Sequence, residues 1–345
     1  MLLRTVPLKT SMVGFGIALV FIALFSITVG PMNISLSDSA ASLFNPNNEL
    51  APHINLVIQE IRLPRTILCM VIGAILALCG AVMQGLFRNP LAEPGIIGVS
   101  AGAALGAALA IVMFSELSLN YPGFMNFAAV PVFAFLGGAL TTLLVYKLGT
   151  GKFGTSVTIM LLAGVAISAL SGAGIGFLNF LADDQMLRDL SLWSMGSLAG
   201  AKWSGIALAL MTLVVLFILF YRQAMSLNAL LLGESEAQHL GIPVQKLKRQ
   251  LILLTAAGVG ITVSLSGMIG FIGLVIPHLG RMLAGPDHRV LLPLSAVLGA
   301  LLLTAADMFS RVVLAPAELP VGIVTAIIGA PFFLYLLFQQ KGRIL

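Results

Sequence analysis

Apolar stretches separated by short polar, glycine- or proline-bearing clusters run along almost the whole chain. Read against the roughly 20 residues that a helix needs to cross a bilayer, they predict spans near residues 11–30, 63–85, 95–114, 127–147, 156–178, 203–221, 248–267, 271–284, 290–310 and 321–339. The eighth is short. Gly267, Gly270 and Gly273 lead into it, so it is expected to enter the membrane as a broken or tilted segment. Ten crossings place both termini on one side. The expected fold is an all-α, polytopic membrane helical bundle of about ten transmembrane helices, with residues 1–345 as a single transmembrane domain.

Small residues recur at every fourth position on several spans: Gly73, Ala77, Ala81 and Gly85; Gly98, Gly102 and Gly106; Gly164, Ser168, Gly172 and Gly176. Apolar burial gives helices no drive to associate in lipid, so such stripes serve close backbone approach. They read as packing seams, with the lining of a pathway as the alternative. Composition agrees with a bilayer environment. Of 345 residues, 59% are hydrophobic and only 9% charged, and mean hydropathy is +1.07. A soluble domain carries about 25% charged residues, so a soluble enzyme, a nucleic-acid binder and a receptor with a large ectodomain are excluded.

The net charge of +5 reports orientation rather than a polyanionic partner. With a cytoplasmic N-terminus, Arg62, Arg65, Arg188, Lys202 and Arg311 fall outside, and the rest of the 18 lysines and arginines fall inside. This bias predicts cytoplasmic termini. Cys69 and Cys79 lie ten residues apart on one predicted helix, about 15 Å along its axis and beyond disulfide reach. Arg4 and Lys9 before the apolar run Ser11 to Gly30 have the look of a signal peptide. The run is long, and no small-x-small site follows closely, so an uncleaved first helix is expected.

The most distinctive stretch runs from Arg62-Leu63-Pro64-Arg65 through the second span to Gln84-Gly85-Leu86-Phe87-Arg88-Asn89-Pro90-Leu91-Ala92-Glu93-Pro94-Gly95. Pro64 suits the first turn of a helix, and Asn89-Pro90 followed by Pro94 forces a tight turn. With Gly98-Val99-Ser100-Ala101-Gly102-Ala103, this resembles the signature of the FecCD-type permeases, the iron-siderophore, haem and cobalamin uptake permeases of bacterial ABC transporters. The second half is similar to the same family in Leu232-Gly233-Glu234, Ala237 and Leu240-Gly241, in the run Gly267 to His278, and in Glu318-Leu319-Pro320-Val321-Gly322 with Gly329-Ala330-Pro331.

The resemblance implies a cobalamin-permease-like fold working as a homodimer in the bacterial inner membrane. It implies two cytoplasmic ATP-binding-cassette ATPase subunits below and a periplasmic substrate-binding protein above, with haem or a ferric siderophore as cargo. ATP and magnesium would be used by the partners, so the chain is expected to need no cofactor of its own, to hold no metal and no catalytic residue, and to bind no nucleic acid. The cytoplasmic segment of about residues 224–245 would couple to the ATPase through Leu232, Gly233, Glu234, Glu236, Ala237, Leu240 and Gly241. Its helix formers, bounded by Gly241 and Pro243, also permit a short amphipathic helix seated in a partner's groove or lying on the membrane surface. Asn89, Pro90 and Leu91 are expected to form part of a cytoplasmic gate, with a plain packing turn as the alternative.

Arg62, Arg65 and Arg311 share the outer face against the positive-inside bias. Guanidinium pairs with carboxylate in two-pronged geometry, and the resemblance implies docking of these three to glutamates of the binding protein. Snorkelling at helix ends is the alternative, as is pairing of Arg311 with Asp307 one turn earlier. Asp307, an intramembrane acid, is expected to pair in this way. His278 is read as a hydrogen-bonded bundle histidine, with iron contact as the minor reading. Met186, Met195 and Met268 suit soft contact with a porphyrin.

Gly149-Thr150-Gly151-Lys152 fails the spacing of a phosphate loop, because Tyr146 and Phe153 stand at the required positions. Asp183-Asp184 lacks the second aspartate cluster of a metal-diphosphate site, and Asp183 to Asp189 reads as a short extracellular loop. A secondary transporter would need intramembrane carboxylate relays, and Asp307 alone is thin support. A membrane enzyme would need a constellation of facing reactive groups. The stretch Leu187 to Leu198 most resembles the haem-uptake branch, with a ferric siderophore next and cobalamin last.

Overall fold

All ten predicted spans are helices in the computed structural model, which describes residues 8–45, 50–114, 129–151 and 154–344 and the side chains among them from residue 12 to 338. Arg4, Lys152 and Phe153, and the side chains of Lys9, Lys341 and Arg343, lie outside the described residues. The first span is α1 (Leu8–Thr28). Short helices α2 (Leu36–Phe44) and α3 (Pro52–Leu56) follow. A π-helical turn over Val57–Arg62 then runs directly into α4 (Leu63–Phe87).

Pro64 stands in the first turn of α4, as its position in the sequence suggests, although the helical run is continuous from Pro52 to Phe87. Proline has no N–H and its ring crowds the preceding turn. The wider π-turn just before it, where Leu63 N–H reaches back to Ile58 O, absorbs that defect.

A 3₁₀ turn (Pro94–Ile97) leads through Gly98, at φ +83°, into α5 (Val99–Met113), so the third helix starts later than its apolar run. Then come α6 (Val130–Gly149), a two-residue hairpin of β1 (Thr150–Gly151) and β2 (Gly154–Thr155), and α7 (Val157–Leu181). The segment read as a loop is helix α8 (Asp184–Ser194). Asp183 is its N-cap, accepting from Met186 N at 2.8 Å, and Leu190 packs with Ala108, Val112 and Leu178.

The chain continues through α9 (Trp203–Arg222), α10 (Ala224–Leu230), α11 (Glu234–His239) and α12 (Val244–Ser266). The broken entry to the eighth span is as expected. Residues 267–271 are non-helical, Phe271 takes φ +67°, and α13 (Ile272–Ala284) follows. Helices α14 (His288–Val312) and α15 (Val321–Ile344) complete the fold. Seven described helical runs are long and apolar enough to cross a membrane, while Met12–Thr28, α5 and α13 are shorter apolar helices.

Helix α4 is the axis of the bundle. It packs against α14, α13, α9, α12 and α1, and 89% of its apolar window is buried. The small-residue seams explain how. A Cβ on Gly73 would enter the Gly299 carbonyl and one on Gly299 the Gly73 carbonyl, so α4 and α14 touch backbone to backbone. Gly80 meets the Gly273 carbonyl in the same way, and Gly102 and Gly137 join α5 to α6. The seam on α7 is shorter than its sequence stripe: Gly164 meets Ile96 O, whereas a Cβ on Gly172 or Gly176 would have nothing within 4 Å.

Candidate functional site at the two ends of the bundle

At the end where α1 finishes, α4 begins and α14 finishes, the three arginines are not on the surface. Arg62, Arg65 and Arg311 are 4%, 4% and 2% exposed and Asp307 is fully buried. Asp307 accepts from both neighbours. Arg65 Nε donates to Oδ1 at 3.0 Å, with Nη2 2.9 Å from the same atom. Arg311 Nε donates to Oδ2 at 2.7 Å, and its Nη2 reaches Oδ2 as well. Arg65 Nη1 also pairs with Glu318 Oε2 at 2.6 Å.

Further guanidinium donors go to α1 and to the residues just after it. Arg311 donates to Ser26 O and Ser26 Oγ, both at 3.0 Å, and Ser26 Oγ meets Thr66 Oγ1 at 2.8 Å. Arg62 donates to Ile27 O at 2.9 Å, Thr28 O at 2.7 Å and Met32 O. The expectation that these arginines face outward to dock a partner is thereby corrected in position. A buried guanidinium must be neutralised and hydrogen-bonded where it lies, and these three brace α1, α4 and α14. The expected Asp307–Arg311 pair is present, with Arg65 as a further partner that spacing along one helix does not reveal.

The opposite end gathers the 88–98 turn, the hairpin, the 223–243 segment and the 285–287 turn. Asn89 Oδ1 accepts from Leu91 N at 2.9 Å, and Arg88, at φ +50°, closes α4. Asn89 is exposed, and Pro90 and Leu91 are half-buried. Glu93 Oε1 accepts from Phe271 N at 3.0 Å, which ties this turn to the start of α13. Burial pushes the Glu93 carboxyl up, partly offset by that hydrogen bond. Gln84 donates to Gly273 O and Leu274 O, both at 3.2 Å, and accepts from Arg281 Nη2.

The seven predicted coupling residues divide by burial. Leu232, Glu236, Leu240 and Gly241 are exposed, Glu234 is intermediate, and Gly233 and Ala237 are buried. Gly233 takes φ +140° beside the Glu236 carboxylate, a backbone conformation that strains any residue with a side chain. The segment hangs on two ties. Asn228 Oδ1 accepts from His288 N and meets His288 Nδ1, both at 2.8 Å, while Asn228 Nδ2 donates to Asp287 Oδ1 at 2.7 Å. Hydrogen bonds from Arg289 hold the Asp287 carboxyl well below the usual carboxylate range. The second tie is Glu234 to Lys248, at 2.6 Å.

The sequence reading missed Asn228 and Lys248 as anchors. Lys248 carried a signal: the apolar positions Val244, Leu247, Leu251 and Ile252 place it on the buried face of α12. The reading of His278 as hydrogen-bonded is corrected. Its Nδ1 is buried without a partner among the described residues, and the ring packs edge-on to Phe332 with centroids 5.9 Å apart. Of the three methionines, Met195 is the exposed one, while Met186 and Met268 are half-buried.

Residues 18–339 match the model of the FecCD transport family. The chain belongs to that family. It is 45% identical over 334 residues to the hemin transport system permease protein HmuU of Yersinia pestis, an alignment covering 96% of both chains. It is 43% identical over 284 residues to the vitamin B12 import system permease protein BtuC of Vibrio cholerae, covering 82% of this chain and 83% of the relative. Among solved structures, an inward-facing conformation of a metal-chelate type ABC transporter superposes with TM-score 0.82 at 33% identity, covering 96% of this chain and 99% of that one. This FecCD chain is a multi-pass membrane permease of the ABC importer type, and its bundle is the fold that the sequence motifs implied.

Proposed function

We propose that this FecCD permease carries haem from a periplasmic binding protein into the cytoplasm, as a homodimer driven by two separate ATP-hydrolysing subunits. The observation that carries the substrate is the 45% identity to the Yersinia pestis hemin permease over 96% of both chains. The alignment with the Vibrio cholerae cobalamin permease spans 82% of this chain. A ferric siderophore or cobalamin is the alternative cargo. The reading places the chain in the bacterial inner membrane with both termini cytoplasmic, in keeping with the basic residues gathered on one side.

The end bearing α10 and α11 would then face the ATPase. Leu232 and Leu240, 69% and 65% exposed, offer an apolar surface for a groove on that partner, with Gly233 and Ala237 setting its shape. Asn89, Pro90 and Leu91, at the same end, would take part in inner closure as the passage alternates between its two openings. The arginines enter this reading as an internal brace of the outer end. A proton-driven carrier is disfavoured because Asp307 is held between two guanidiniums rather than free to relay protons.

The test is uptake of haem, ferric siderophore and cobalamin, side by side, in cells lacking this chain and in complemented cells. Loss of haem uptake alone, restored by the chain, is expected. Loss of siderophore or cobalamin uptake alone keeps the importer and overturns the substrate. Uptake that collapses with a protonophore but not on ATP depletion overturns the importer.

A further inference from the structure

Lys248 carries a buried ammonium, 2% exposed, on the second turn of α12 among Val244, Leu247, Leu251 and Ile252. A charge in that position needs fixed partners, and its partners come from two different elements. Its Nζ ion-pairs with Glu234 Oε1 of α11 at 2.6 Å and donates to Thr155 O of β2 at 2.9 Å. Gln245 Oε1 accepts from Thr155 N at 2.8 Å, so side chains of α12 hold both backbone polar groups of Thr155.

Gly154, at φ +105°, lies so close that a Cβ there would be 2.5 Å from Gln245 Cδ. The Thr150 and Thr155 hydroxyls, 3.1 Å apart, close the hairpin. Ser156, next along the chain, caps α7 through Ile159 N at 3.4 Å. Any displacement of α11 that drags Lys248 and Thr155 is therefore delivered to the first turn of α7.

The two ties of the 224–245 segment end on very different helices. Asn228 anchors α10 to the start of α14, where His288 is buried against Gly85 of α4. The Lys248 tie runs through α12, 61% of whose apolar window is buried, and on to α7, of whose window only 17% is buried, against 89% for α4. Leu162, Leu170, Phe177 and Phe180 of α7 are all more than 60% exposed. Within one protomer, a helix with few packed neighbours moves at lower cost than one embedded on every side.

Resting on the reading of residues 224–245 as the ATPase-contacting segment, we propose that Glu234, Lys248 and Thr155 form a relay that passes displacement of α11 to α7. Asn228 meanwhile holds α10 to the α4–α14 core. Lys248 is a positioning residue: it touches no cargo, and its task is to make α11 and the hairpin move as one.

The experiment uses the full complex with its ATPase subunits and binding protein in proteoliposomes, with haem as the probe. Spin labels sit at the exposed positions Gly151→Cys and Gln238→Cys, since Cys69 and Cys79 are buried. In the parent, with both labels carried by one protomer of the dimer, the distance between them stays single and unchanged when a non-hydrolysable ATP analogue binds. In Lys248→Met the distance broadens and shifts with nucleotide, and haem moved per ATP falls about tenfold while ATPase turnover stays within about twofold. Lys248→Arg restores both readouts.

Where Lys248→Met fails to assemble, Glu234→Gln on a side chain 36% exposed carries the same test. Parent-like distances and parent-like haem per ATP in every variant that assembles overturn the relay. A parent that moves no haem yet keeps the expected distances, set against their loss in Lys248→Met, overturns the proposed cargo and leaves the relay standing.

Discussion

Where α1, α4 and α14 meet, three arginines and Asp307 are all less than 5% exposed and satisfy one another or the backbone of α1. At the other end the ion pairs reach the surface: Glu234 is 36% exposed, Asp287 33% and Arg289 57%. The first arrangement locks three helices, because breaking any member strands a charge in a medium that cannot solvate it. The second ties short helices to long ones while leaving Leu232, Glu236 and Leu240 open to a partner. The fold thus keeps a rigid joint at one end and a set of handles at the other. That division of labour suits the proposed importer, driven from the end that bears α10 and α11.

Four substitutions put this contrast at risk, beginning with the most damaging. Asp307→Ala leaves Arg65 and Arg311 buried and unpaired, and is expected to cost about 3–5 kcal/mol, read as a large fall in the melting temperature of the detergent-solubilised protein. A melting curve like the parent's would mean that the cluster is no brace. Arg62→Met removes the donors to three α1-side carbonyls and should cost about 1–3 kcal/mol, with proteolysis after α1 accelerating before global unfolding.

Asn228→Ala frees His288 and Asp287 from α10. Its expected cost is about 1–2 kcal/mol, with raised hydrogen exchange confined to α10 and the start of α14. Exchange spreading through α4 would show that this end is as rigid as the other. The smallest effect on stability belongs to Leu232→Glu, within about 0.5 kcal/mol. That variant should nevertheless lose co-purification with the ATPase subunits, whereas Asp307→Asn that still folds should keep it. Retained co-purification of Leu232→Glu would remove this residue from the partner surface.

Much of this was written in one dimension. A bilayer demands long apolar helices with internally satisfied backbones, so the ten spans, the broken eighth and the glycine seams on α4 and α5 followed from local pattern. The 88–98 turn was legible for the same reason, since Asn89, Pro90 and Pro94 restrict the backbone where they stand. Helix α8 was misread because its apolar positions are too few for a span. Only its packing on Leu178 and Val112 makes it a helix worth the ordering entropy.

The chain by itself also determined the family, through runs of residues that keep their order and spacing. What it left undecided was the direction and partnership of charged side chains. Arg65 and Asp307 are 242 positions apart, Lys248 and Thr155 93, Asn228 and His288 60, and no periodicity along a helix announces such pairs. Whether an arginine at a helix end faces water or a buried aspartate depends on what the neighbouring helices bring to it. That is decided only when the close crossing of α4 and α14 at Gly73 and Gly299 sets the helices at contact distance.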